Sequence, residues 1–131
     1  MKIACITDDG RTISQHFGRA RYYAVLTVED GKVMDQEMRD KLGHGQFGAQ
    51  EQAEEPGQRH GTSQASHDKH VSMAEAISDC QVLLCRDMGH GAYQSMRQLG
   101  ITPVVTEEGE IEAAVRAYVD GRLEDHPEKL H

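Results

Sequence analysis

The stretch covering residues 81–106 constrains the fold more than any other part of the chain. Gln81-Val82-Leu83-Leu84-Cys85 is a short, nearly continuous apolar run, and residues 102–106 form a second one. Between them Ala92, Tyr93, Met96 and Leu99 recur at helical spacing, and Gly100 stands where a left-handed C-cap belongs. A strand, a helix and a strand in so few residues predict a right-handed crossover with the two strands parallel. Parallel strands need cover on both faces, so helices must lie on each side of the sheet. Pro103 comes at the start of the second strand, where a missing donor is tolerated.

The remaining elements follow from local patterns. Residues 2–7 carry the continuous apolar run of a strand buried on both faces. Tyr22-Tyr23-Ala24-Val25-Leu26-Thr27-Val28 is β-branched and aromatic, and Asp30-Gly31 predicts a tight hairpin turn into a more polar strand over 32–39. Its charges suit a sheet edge, where they discourage unwanted pairing. Ser72-Met73-Ala74-Glu75 fits a capping box, with Ser72 as N-cap, and predicts a short helix to about Asp79. Ile111, Ala114, Val115, Tyr118 and Val119 give an amphipathic helix closed by Gly121. The expectation is one α/β domain over 1–131. Antiparallel strands in 1–39 and an α-β-α-β-α half in 71–131 form a mixed five-stranded sheet with helices on both faces.

Residues 41–70 differ in kind. They contain five apolar residues (Leu42, Phe47, Ala49, Ala53, Ala65) against five Gly, five Gln and four His. So little aliphatic surface does not offset the entropy of ordering, which predicts a long flexible loop inserted in a compact domain. Loops of that length are uncommon unless they serve a purpose.

Charge and cysteine usage narrow the function classes. Fourteen Lys+Arg against 22 Asp+Glu give a net charge of −8 over 131 residues, which lacks the basic footprint of a nucleic-acid binder. No apolar run reaches the 18 residues of a membrane span, and the first residues turn acidic too soon for a signal peptide. The expectation is a cytoplasmic protein with no membrane partner. Cys5, Cys80 and Cys85 make no disulfide framework. On one strand Cys80 and Cys85 would lie about 16 Å apart on opposite faces, too far to share a bond or a metal. Cys5 and Cys80 read as buried free thiols.

Ligands of such sheets bind beyond the carboxyl ends of the parallel strands. Two segments meet there: Thr7-Asp8-Asp9-Gly10 leading to Ile13-Ser14-Gln15-His16-Phe17-Gly18-Arg19-Ala20, and Cys85-Arg86-Asp87-Met88-Gly89-His90-Gly91. Gly89 and Gly91 at a helix start either cradle an anion on unpaired N–H groups or serve a turn that needs positive φ. Met88 and His90 offer a thioether and an imidazole, which suit soft metals. His16 is a loop imidazole beside Arg19, a cation able to cap a ligand's negative charge. Cys85 supplies a thiolate if it is accessible and a small hydrophobe if it is not. His67 and His70 stand three apart in the loop and chelate only if locally helical; no Cys-x-x-Cys or His-Glu-x-x-His accompanies them. No nucleophile elbow, Walker A loop or Ser/His/Asp triad is readable, so no enzyme is expected. The sharpest enzymatic alternative is a divalent-metal phosphodiesterase or nuclease using Asp8 and Asp87. The net charge works against its polyanionic substrate. A regulatory module holding a phosphate ligand at Gly89–Gly91 is another.

Several of these segments, taken in order, resemble the dinitrogenase iron–molybdenum cofactor biosynthesis family. They are Lys2-Ile3-Ala4, Ser14-Gln15-His16-Phe17-Gly18-Arg19-Ala20, Met73-Ala74-Glu75-Ala76-Ile77, Asp87-Met88-Gly89-His90-Gly91-Ala92-Tyr93, Leu99-Gly100-Ile101-Thr102-Pro103 and Asp120-Gly121-Arg122-Leu123. The resemblance covers residues 1–39 and 71–131. It implies a ribonuclease-H-like sheet and the storage or carriage of an iron–sulfur or molybdenum-containing sulfide cluster, with cluster-donating and cluster-accepting proteins as partners. Arg19, Arg86 and the N–H groups at Gly89–Gly91 would then stabilise the cargo's charge, and His16, His90 or Cys85 would supply one or two coordinating bonds.

Because residues 44–66 offer so little apolar surface, replacing them with a short Gly/Ser linker is expected to leave a single cooperative thermal transition. Loss of cooperative unfolding would place that stretch in the core.

Overall fold

The computed structural model describes residues 1–41 and 73–131. Its sheet comprises β1 (Lys2–Thr7), β2 (Tyr22–Glu29), β3 (Lys32–Asp40), β4 (Val82–Cys85) and β5 (Thr102–Val105), in the order β3-β2-β1-β4-β5. β1 pairs antiparallel with β2 and parallel with β4. The outer pairs are antiparallel for β2–β3 and parallel for β4–β5. Helices α1 (His90–Gln98) and α2 (Ile111–Val119) and a 3-10 turn at Pro127–Lys129 follow. The mixed five-stranded α/β sheet is therefore the one the apolar runs predict.

β1 is the centre of the core. Ile3, Ala4, Cys5 and Ile6 are all fully buried, as are Leu83, Leu84 and Cys85 of its parallel neighbour. Burial at successive positions means that side chains on both faces of these strands are covered. β3 is an edge strand, exposed along most of its length. The hairpin between β2 and β3 turns at Asp30 and Gly31, both with positive φ (54° and 77°), as a two-residue turn of the favoured twist requires.

The helices match their patterns with one exception. Ile111, Ala114 and Val115 of α2 are buried, and Tyr118 and Val119 are half-buried. On α1, Ala92 and Met96 are buried, but Leu99 is 42% exposed. The helix ends at Gln98, and the chain reverses through Gly100 (φ +82°), with the Ile101 amide donating to the Met96 carbonyl. Ile101, fully buried, takes the core position that the helical spacing assigned to Leu99.

At residues 73–79 only 73–75 are helical, and the Ile77, Ser78 and Cys80 amides each reach back three residues. The predicted helix is thus shorter than expected, and its cap Ser72 lies outside the described residues. So does the predicted loop from 42 to 70, with His67 and His70. Lys41, read as the first residue of that loop, is corrected: it is 2% exposed and belongs to the packed domain. All three cysteines are free and buried, as expected for Cys5 and Cys80.

The chain on either side of residues 42–72 is fastened to the sheet. The buried Tyr23 hydroxyl donates to the Met73 carbonyl at 2.8 Å. Arg39 grips Asp79 with two parallel bonds (2.7 and 2.9 Å) and donates to the Ala76 carbonyl, while Lys2 reaches the same carboxylate at 3.1 Å. The Arg39 guanidinium, with help from Lys2, holds the Asp79 carboxyl well below the usual carboxylate range. A depressed carboxylate pKa stabilises the fold above the unfolded-state value near 4 and ceases to do so as pH falls toward the folded-state value.

Asp79→Asn is accordingly expected to lower stability at pH 7 by about 1 kcal/mol, the upper range for a half-exposed, bidentate pair. The deficit relative to the unmodified chain should shrink as urea unfolding is repeated from pH 5 downward. A deficit independent of pH would show that the ion pair is not its source.

Candidate functional site

Because β1 and β4 are parallel neighbours, the chain leaves both at the same edge of the sheet. Three segments gather there: 8–21 after β1, 86–89 after β4 and 106–110 after β5. Polar groups at this edge have few regular backbone partners, and carboxylates supply them instead. Asp8 accepts from the Arg21 amide (3.0 Å) and the Ser14 hydroxyl (2.9 Å), closing the base of the first loop. Asp9 accepts from the Thr12 and Arg11 amides at 2.8 and 2.9 Å, and these bonds hold its carboxyl well below the usual range. The Ile13 amide donates to the Gly109 carbonyl, and the Ile111 amide to the Arg11 carbonyl, which joins the first loop to the third.

Asp87 joins the first loop to the second. One oxygen accepts the Phe17 amide at 3.1 Å; the other lies 3.2 Å from His16 Nδ1 and 3.7 Å from His131 Nε2. The His131 amide donates to the Met88 carbonyl, its carbonyl accepts from the His90 amide at 2.8 Å, and Leu130 bridges Met88 in parallel. Residues 130–131 thus return to the start of α1.

Beside this junction is a cleft of about 650 Å³, whose lining includes Asp8, Asp9, His16, Arg19, Arg86 and Glu110. His16, Arg19 and Arg86, predicted from segments some seventy residues apart, are brought together there. Among the described residues, neither Arg19 nor Arg86 forms an ion pair with a carboxylate.

Other predicted residues stand elsewhere. Cys85 and Met88 are fully buried rather than at the rim. The Cys85 Sγ lies 3.6 Å from the Val104 carbonyl, and burial above all pushes its thiol up to about 12, so it is neither exposed nor ionised. The reason is position: Cys85 is the last residue of a strand covered on both faces, not the first of the loop. Gly89 has φ −78°, and neither it nor Gly91 adopts positive φ, so left-handed backbone is not why these glycines are present. The His90 side chain is exposed, but its amide, offered by the sequence to an anion, is taken by His131. Among the described residues no group of three or more His, Cys, Asp or Glu is placed to hold a metal ion. The pairing of Asp8 with Asp87 as a metal site is not favoured, because both carboxylates are engaged by donors of the first loop.

His131 is the residue that sequence reasoning missed. Pro127 marks the turn before it, but a bridge between Leu130 and Met88 leaves no local pattern to read.

Comparison with known proteins gives consistent results. The family model described as dinitrogenase iron–molybdenum cofactor matches residues 1–121. An uncharacterized protein of Methanocaldococcus jannaschii is 25% identical over 125 residues, covering 95% of this chain and 90% of that protein. The crystal structure of PH0822 superposes with a TM-score of 0.68 at 22% identity, covering 96% of each chain. The orange protein of Desulfovibrio gigas, solved in its apo form, superposes with a TM-score of 0.64 at 21% identity, covering 95% of this chain and 92% of that one. At such identities the two structures speak for a shared fold.

The Asp87 junction yields a direct test. Asp87→Ala should destabilise the fold by about 1–2 kcal/mol, the range for a hydrogen bond to a charged group, and speed amide exchange at Phe17. Asp87→Asn, which keeps an acceptor oxygen, should retain the protection. Unchanged exchange at Phe17 in Asp87→Ala would show that the carboxylate does not hold the loop.

Proposed function

The chain belongs to the dinitrogenase iron–molybdenum cofactor family, and on that premise we propose that it binds and carries a metal–sulfide cluster without transforming it. The cargo class is an iron–sulfur or molybdenum-containing sulfide, received from and passed to other proteins, on a sheet taken to be of the ribonuclease-H-like kind. The observation that carries this reading is the cleft in which His16, Arg19 and Arg86 converge.

The chemistry is matched in three respects. A sulfide cluster is an anion with soft metals at its surface, and two guanidinium groups can bind its sulfurs and charge. The His16 imidazole is exposed at the cleft and can take one metal position. Cys85 and Met88 are closed off in the core, so the cargo would be held by few coordinating bonds and several charged donors. Incomplete ligation favours release, as a carrier requires; a closed four-residue cage would favour permanent tenancy.

Two of the three acidic residues lining the cleft are engaged by donors, and the third, Glu110, stands with Arg19 and Arg86 in the same lining. Asp8 and Asp9 spend their oxygens on donors of their own loop. The two-metal hydrolytic reading is not favoured, because Asp8 and Asp87 both already accept from donors of the first loop.

The test is anaerobic incubation of the full chain with iron, sulfide and tetrathiomolybdate, followed by desalting and analysis of metal and sulfide. Both should remain with the protein in a fixed ratio. His16→Ala and Arg86→Ala should each weaken retention by roughly tenfold, the effect of losing one charged or coordinating contact. His126→Gln should retain the cargo, since its ring is engaged by Glu107, Glu124 and Glu128. Loss of metal and sulfide together from the unmodified protein would overturn the reading.

A further inference from the structure

The buried Lys41 is unexplained by the fold alone. A lysine at 2% exposure is uncommon, because an ammonium leaves water only when its protons find other partners. Lys41 Nζ donates to the Phe17 carbonyl and, at 3.2 Å, to the Ala20 carbonyl, and it lies 4.2 Å from the centre of the Phe17 ring. Its own backbone amide donates to the Arg21 carbonyl. An apolar side chain of similar length would fill the volume without removing a charge from water. The ammonium is therefore best understood through what it holds.

Among its described contacts, the ammonium holds the turn that presents the cleft residues. The Arg19 and Ala20 amides both donate to the His16 carbonyl at 3.2 Å, closing one helical turn. Phe17 and Ala20 face inward and are buried, while His16 and Arg19 are exposed on the cleft side. The carbonyls of Phe17 and Ala20 have no following helix to accept, and a cation is the natural partner for such a carbonyl end. Asp87 fixes the start of the same turn through the Phe17 amide, so anion and cation clamp its two ends.

We propose that Lys41 is a positioning residue for the cleft: its ammonium, bound to the carbonyls of the 16–20 turn, sets where His16 and Arg19 stand. The inference rests on the cargo-binding reading for its consequence, but its structural core can be tested without cargo. In Lys41→Met, amide exchange at Arg19 and Ala20 should accelerate by tenfold or more, while amides of β1 and β4 keep their protection. Lys41→Arg, which retains a cation, should recover most of that protection. Equal exchange at Arg19 and Ala20 in all three proteins would overturn the proposal.

A binding arm separates the two readings. With tetrathiomolybdate as probe, followed by its visible absorption, Lys41→Met should bind at least tenfold more weakly than the unmodified chain, and Lys41→Arg within about threefold. Binding within twofold by a folded Lys41→Met would overturn the positioning role. If the unmodified chain binds no probe, the cargo reading fails and the exchange arm alone decides the proposal. Should Lys41→Met fail to fold, the unmodified chain decides: probe binding that shifts His16 must also shift the Lys41 ammonium resonance. An unmoved Lys41 beside a shifted His16 would overturn the inference.

Discussion

The parallel pairing of β1 with β4 is the constraint on which the site depends. Ile3, Ala4 and Cys5 stand opposite Val82, Leu83 and Leu84, with both strands running the same way at the centre of the sheet. Had the pairing been antiparallel, the loops after β1 and β4 would emerge at opposite edges, and His16 would never meet Arg86. The pairing is possible because neither strand presents a polar face to water; each is covered on both sides. Apolar burial in the first and fourth strands therefore decides where the polar chemistry collects.

The second level of organisation is a division of labour among charges. An acidic chain is a poor choice for an anionic cargo only if its carboxylates are free to repel it. At this edge three of them are used as hydrogen-bond acceptors, although Glu110 also lines the cleft: Asp8 and Asp9 stitch the first loop to itself, and Asp87 stitches it to the start of α1. Arg19 and Arg86 are left without a carboxylate partner among the described residues. Net charge is a property of the whole surface, whereas recognition at a few ångströms depends on which groups have already spent their bonds.

That distinction explains what the sequence could reveal. The fold was readable because its signals are local or periodic: an apolar run for β4, helical spacing for α1 and α2, and Asp30-Gly31 for the hairpin. Leu99 misled because helical spacing continues on paper past a glycine that reverses the chain in space. That His16, Arg19 and Arg86 gather at one edge is legible because parallel strands end together. For Cys85 the sequence leaves two fates open, an accessible thiolate or a small hydrophobe, because the last residue of a strand can face either the rim or the core; the structure buries it. Lys41 and His131 were illegible for a different reason. Among the described contacts of each are bonds to backbone carbonyls or amides about twenty or more positions away, which carry no sequence identity.

The arrangement also bears on how a cargo would couple to the fold. The first loop is stapled by Asp8 and Asp9, the second is tied to residues 130–131, and Asp87 joins the two. A ligand gripped by His16 and Arg19 on one side and Arg86 on the other adds a second tie across the same gap. Such a ligand binds the native state and not the unfolded chain, whose His16 and Arg86 are separated by seventy residues of backbone. Its binding energy then appears as stability, growing with the logarithm of ligand concentration. A site made of few donors on separately anchored loops can therefore be rigid when loaded and yet give up its cargo without unfolding, since no donor that leaves the cargo has to leave the core.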